Sequence, residues 1–146
     1  MPEQTPQEAA WQAIAQLFMS QRPRMLDAAA KLGLNPPQAL ALQRLEPGVP
    51  MPMGRLAEFL HCDASNVTGI ADRLEAAGLA ERRAGERDRR VKTLALTEKG
   101  ARMRERYLSV LRVPPPAVAA LSDAEAGLLR DLLAPSAHPR TGATAP

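Results

Sequence analysis

Residues 54–100 read GRLAEFLHCDASNVTGIADRLEAAGLAERRAGERDRRVKTLALTEKG. Leu56, Ala57 and Leu60 share one face of a first helix-period segment. Val67, Ile70, Ala71, Leu74 and Ala77 recur with the spacing of one apolar stripe on a second, over Ser65–Ala77. Only His61, Cys62 and Asp63 lie between the two segments, and Asp63 is placed as an N-cap for the second. A turn this short between helices is a helix-turn-helix signature. The other face of the second helix carries Ser65, Thr68, Gly69, Asp72 and Arg73, with Asn66 at its edge. Short hydroxyl and amide groups near a helix N-terminus can reach base edges in a major groove. The same residues would also make an ordinary solvated face.

The next residues weigh on that choice. Gly78 suits a helix C-cap, Leu79–Arg83 a strand, 84–90 a loop and Val91–Leu96 a returning strand with Leu94 and Leu96 on one face. Between Arg82 and Lys92, six cations (Arg82, Arg83, Arg87, Arg89, Arg90, Lys92) stand against Glu86 and Asp88. That local +4 exceeds the +3 of the whole chain. A hairpin with a cationic tip beside such a helix pair is a wing, and arginine is the residue suited to phosphate and to a narrow minor groove.

Residues LAEFL (56–60), SNVTGIADRLEAAGLAERR (65–83) and DRRVKTLALTEKG (88–100) together resemble the winged helix-turn-helix core of the MarR family of bacterial transcriptional regulators. The resemblance runs from about Pro36 to Arg106. It implies a homodimer on a pseudo-palindromic operator in double-stranded DNA. The implied regulator is usually a repressor, and a small molecule or oxidant often releases it. Carried over by position, Ser65, Asn66, Thr68 and Arg73 contact DNA from the recognition helix. Asp88 steadies the wing and Arg90 reaches the minor groove; Arg87, Arg89 and Arg90 together are expected to grip flanking phosphates and the minor groove. Gly69 stands where many relatives carry Arg. The implied architecture is mainly α with a small β-wing: about six helices and a two- to three-stranded sheet. Residues 7–134 form one domain, with the DNA-binding core at 36–97 and dimerisation helices at 7–34 and 98–134. An aromatic or anionic effector would sit in the crevice between the dimerisation helices and the winged core.

Outward from this core, the chain of 146 residues has the length of one domain and can bury a sizeable core. Hydrophobic residues make up 45% but aromatics only 3%, so the core rests on Leu, Ala, Val and Met, which suits helices. A pI of about 9.6 permits nucleic-acid binding without requiring it. One cysteine rules out an internal disulfide. With neither a basic-then-apolar leader nor a long apolar run, a soluble cytoplasmic protein with no membrane association is expected.

Residues 1–6 read as a loose start. From Gln7 a long amphipathic helix carries Trp11, Ile14, Ala15, Phe18, Met25, Leu26 and Ala29, with Pro23 predicting a kink near Ser20–Arg22 or two helices meeting there. Trp11 and Phe18 read first as core residues, and alternatively as part of a dimer interface or ligand crevice, as does Tyr107. Asn35-Pro36-Pro37-Gln38 is a strong helix start; Leu40, Leu42 and Leu45 follow, and 49–53 leaves room for a short edge strand. Thr97 caps a helix with Met103, Tyr107, Leu108, Val110 and Leu111 on one face, which the prolines at 114–116 stop. Ser122–Glu125 is a capping box before Leu128, Leu129, Leu132 and Leu133, a face that must pack on something: on family grounds a second chain, alternatively the rest of its own. Residues 135–146 read as a flexible tail.

Catalytic constellations are missing: there is no Gly-rich phosphate loop, no GxSxG and no paired carboxylates in an apolar setting. His61-Cys62 alone cannot make a zinc site, so neither enzyme activity, a cofactor nor a metal is expected. Cys62 reads first as a half-buried turn residue and second as a redox switch. Two other readings stay open: a winged-helix protein-interaction module, and a nucleic-acid-coating protein without sequence preference.

Overall fold

The computed structural model describes residues 4–134. The loose or flexible stretches expected at 1–3 and 135–146, with His138, lie outside them. Among the described residues there are seven helices and three strands: α1 (Pro6–Lys31), α2 (Pro36–Arg44), β1 (Met51–Pro52), α3 (Met53–Phe59), α4 (Ala64–Ala76), β2 (Ala80–Ala84), β3 (Lys92–Leu96), α5 (Glu98–Leu111), α6 (Pro116–Ala119) and α7 (Asp123–Leu133). The fold class is as expected, with one helix more: a single turn, α6, starts on the proline run that stops α5. The chain divides into two compact units at Val113–Pro114. No described helix is long and apolar enough to cross a membrane.

In the first unit the core lies inside the winged domain. Leu42 and Leu45 from the α2 end, Leu56 of α3, Leu74 of α4, Leu79, and Leu94 of β3 are fully buried, and Ala28 and Ala29 of α1 close one side. The sheet order is β1-β3-β2, antiparallel throughout. Thr93 and Leu94 pair with Pro52 and Met51 of the two-residue β1 on one side and with Arg83 and Arg82 of β2 on the other.

Several local readings need correction. Thr5 and Pro6 are not loose: Thr5 and Glu8 form a capping box, so α1 starts at Pro6. α1 runs as one helix across Pro23, so the alternative of two helices meeting there fails. A proline there has no N–H for the Met19 carbonyl, but the flanking turns hold. Ser20 Oγ donates to Leu17 O (2.7 Å). The Arg24 guanidinium donates to the Val113 carbonyl (3.0 Å) and the Val110 carbonyl, tying α1 to the end of α5. Pro23→Ala is therefore expected to restore a hydrogen bond without moving the helix and to raise the unfolding free energy by about 1–3 kcal/mol. Urea denaturation would show this as a higher midpoint at unchanged slope.

The core-packing readings of Trp11 and Phe18 fail, since both are more than 60% exposed on α1. Tyr107, at 2% exposure, is part of the core, and burial pushes its phenol pKa up. Leu40 is exposed on α2, where Ala39, Ala41 and Leu42 face inward instead. In the second unit, Ser122 and Glu125 form the expected capping box for α7, and Leu128, Leu132 and Leu133 are exposed.

Candidate nucleic-acid interface

α4 is fixed at its start by Asp63, whose carboxylate accepts the Asn66 N–H at 2.8 Å. The turn before it bends at His61, which adopts φ 50°. Val67, Ile70, Ala71 and Leu74 are buried, as their spacing requires; Ala77, the last residue of the expected stripe, is instead the exposed C-cap. Ser65, Asn66, Thr68 and Arg73 remain exposed on the opposite side, and Gly69 is half-buried with open space where a side chain would go. The Thr68 hydroxyl donates to Ala64 O (2.7 Å), so its proton is used within the helix and its oxygen can only accept. Ser65, Asn66, Gly69 and Arg73 line one groove of about 360 Å³, floored by Pro37 and Leu40 of α2. Half-buried Cys62 also lines that groove, its N–H bonded to Ala57 O at 3.1 Å.

The wing is built around its backbone. Gly85 N–H donates to Val91 O (2.8 Å), and Val91 N–H donates to Asp88 O (3.0 Å). A Cβ on Gly85 would stand 2.6 Å from that same Asp88 carbonyl oxygen, so the turn admits only glycine without a shift. The Asp88 carboxylate accepts the Arg90 N–H at 2.9 Å and closes the tip. Arg87, Arg89 and Arg90 project from this frame, all exposed, and among the described residues none of them makes an ion pair.

Two of the six cations counted along the hairpin are already spent. Arg83 pairs with Glu81. Arg82, half-buried, turns back onto α4: it donates to Asp72 (2.7 Å), to the Glu75 carboxylate and to the Thr68 carbonyl (3.3 Å). Its own N–H goes to Glu75 Oε1 at 2.8 Å. The hydrogen bond to Asp72 and the neighbouring Glu75 charge hold the Arg82 pKa above its ordinary value. Asp72, counted with the outward face of the recognition helix, thus belongs to an internal contact. Asp72 and Glu75 lie three residues apart on α4, which was the available signal for a cation clamped from outside the helix.

A second contact missed at the sequence level lies behind α4. Thr97 Oγ1 donates to Gly78 O (2.6 Å), Thr97 N–H to Leu79 O (3.1 Å), and Lys99 Nζ to Ala77 O (2.7 Å). The first turn of α5 therefore fastens the C-terminal end of α4, with a lysine where the helix carbonyls concentrate negative charge.

A helix pair joined by a four-residue turn, Leu60 to Asp63, a second helix with one face clear of the core, and a hairpin with a cationic tip define a winged helix-turn-helix domain. The MarR family's model matches residues 34–92. The chain is 32% identical to a probable transcriptional regulator from Pseudomonas aeruginosa, with 83% of this chain and 94% of that one covered and a TM-score of 0.58. A MarR family protein from Bacillus stearothermophilus superposes with a TM-score of 0.75 at 24% identity, over 90% and 94% of the two chains. The chain is also similar to the HTH-type transcriptional repressor MdtR of Bacillus subtilis (strain 168), 37% identical over 84 residues, 58% of this chain and 54% of that protein. It thus spans about half the length of the curated relatives it matches. The chain belongs to the MarR family.

Proposed function

We propose that this chain is a sequence-specific DNA-binding transcriptional regulator, a homodimeric repressor of a pseudo-palindromic operator that works in the cytoplasm and acts by binding, not catalysis. The observation that carries the reading is the pairing of three exposed, unpaired arginines on a braced wing with the exposed polar face of α4. In this reading Ser65, Asn66 and Arg73 meet base edges and phosphate in the major groove, Thr68 accepts, and Gly69 lets the helix backbone approach closely. Arg87, Arg89 and Arg90 take the flanking phosphates and minor groove, with Asp88 setting their frame. The similarity to a protein named as a repressor supports the direction of control. Dimerisation is supported by the apolar side chains left exposed, Trp11 and Phe18 of α1 and Leu128, Leu132 and Leu133 of α7. Release follows from a shift between dimer geometries on binding a small aromatic or anionic effector, or on oxidation.

Selection from a random duplex library, followed by anisotropy titrations at rising salt, tests the proposal. An enriched pseudo-palindrome bound at least about a thousandfold above random duplex is the expected outcome. Equal, salt-sensitive binding to all duplexes would make the chain a coating protein, and no binding at low salt would leave the protein-interaction reading.

A further inference from the structure

We infer that Arg82 is a positioning residue: it locks the wing to the recognition helix, so that the wing arginines and α4 engage one DNA half-site as a single rigid reader. The inference rests on the DNA-binding reading above, and its geometry stands without it.

The hairpin meets α4 along β2, and there Arg82 reaches three successive turns of the helix. It bonds to the Thr68 carbonyl, the Asp72 carboxylate and the Glu75 carboxylate, which lie at i, i+4 and i+7. Glu75 takes both the guanidinium and the backbone N–H of Arg82, so the strand is held by its main chain as well as by its side chain. A lysine could neutralise the two acids but could not span them, because only the planar guanidinium donates in several fixed directions. Arg82 is also mid-strand, paired with Leu94, and Leu94 is fully buried. A clamp at that register fixes both strands of the wing. The tip that carries Arg87, Arg89 and Arg90 starts only three residues beyond, at Gly85. With the clamp gone, those arginines would still attract DNA, but their position relative to α4 would no longer be set.

The test is a double-mutant cycle between Arg82→Gln and Arg90→Ala, read as affinity for a mixed-sequence duplex and as the salt dependence of that affinity. In the wild-type background Arg90→Ala is expected to cost about tenfold. In the Arg82→Gln background it is expected to cost no more than about twofold, because the wing no longer meets DNA in register with the helix. Equal costs in both backgrounds would overturn the inference. Glu75→Gln keeps an acceptor for the Arg82 amide while removing the charge, and repeats the cycle should Arg82→Gln fail to melt cooperatively. A DNA-free arm uses residual dipolar couplings of the α4, β2 and β3 amides. One alignment frame fits all three elements in the wild type, and two are needed in the variants. A single frame retained in the variants would sink the inference whatever the DNA result. A wild-type protein that binds no duplex would instead remove the DNA-binding reading while this arm still decides the role of Arg82.

Discussion

Gly100→Ala is expected to lower the unfolding free energy by about 3 kcal/mol or more, since its added Cβ meets the closest obstacle of any described glycine. A Cβ at position 100 would stand 1.8 Å from the Leu79 carbonyl oxygen and 2.8 Å from its carbon. Both obstacles are main chain, so no rotamer change can make room. Relief requires α5 to move away from Leu79, and that motion breaks the Thr97 N–H bond to Leu79 O and stretches the Thr97 hydroxyl bond to Gly78. Leu79 is itself fully buried, so its movement opens the core. Gly127→Ala is the control: nothing lies within 4 Å of its added Cβ, and α7 should gain about 0.5–1 kcal/mol from the better helix former. Urea denaturation of both variants checks the pair. An unchanged midpoint for Gly100→Ala would contradict the close approach of α5 to Leu79.

Reversing two wing charges, Arg89→Glu with Arg90→Glu, is expected to weaken duplex binding by more than about a hundredfold at low salt, and to reduce the slope of log affinity against log salt by about 2. Stability should hardly change, because both side chains are exposed and neither enters an ion pair among the described residues. Arg83→Gln is the contrast. Its guanidinium already pairs with Glu81, so removing it should leave the salt slope nearly unaltered although it lies on the same hairpin. Anisotropy at several salt concentrations separates the two, and equal effects would mean that the wing attracts DNA only through its summed charge.

These contrasts mark how far the sequence could be read. Local periodicity sufficed for α4: Val67, Ile70, Ala71 and Leu74 lie three or four apart and are all buried, and Asp63 caps the helix they define. The wing was equally legible, because Asp88 and Arg90 are neighbours in the chain and their hydrogen bond is local. What could not be read depends on groups distant in the chain or on surface left bare. Whether Arg82 faces DNA or α4 is decided by where β2 runs beside the helix, seven residues from Glu75. The need for glycine at position 100 comes from the Leu79 main chain, twenty-one residues away, which no local pattern reveals. Trp11 and Phe18 sit at helical spacing on α1, yet nothing in the first unit covers them. Pro23 carries a true helix-breaking signal that the Arg24 tether to α5 outweighs. The T-x-x-E box at Thr5 is fully local, and it sets the start of α1 at Pro6.

The Arg82 amide has one more consequence, for how this protein behaves when concentrated. β2 is the outer strand of the sheet, and an outer strand with free N–H groups is a template on which another chain can add a strand. At Arg82 that N–H already belongs to Glu75. The opposite margin is β1, only two residues long and one of them Pro52, which has no N–H to offer. One outward N–H of β2 is thus taken by a helix carboxylate, and the opposite margin is short and proline-bearing, so each margin is a poorer template for a fourth strand. Copies of this charged hairpin can crowd together in concentrated solution with less risk of their sheets fusing edge to edge.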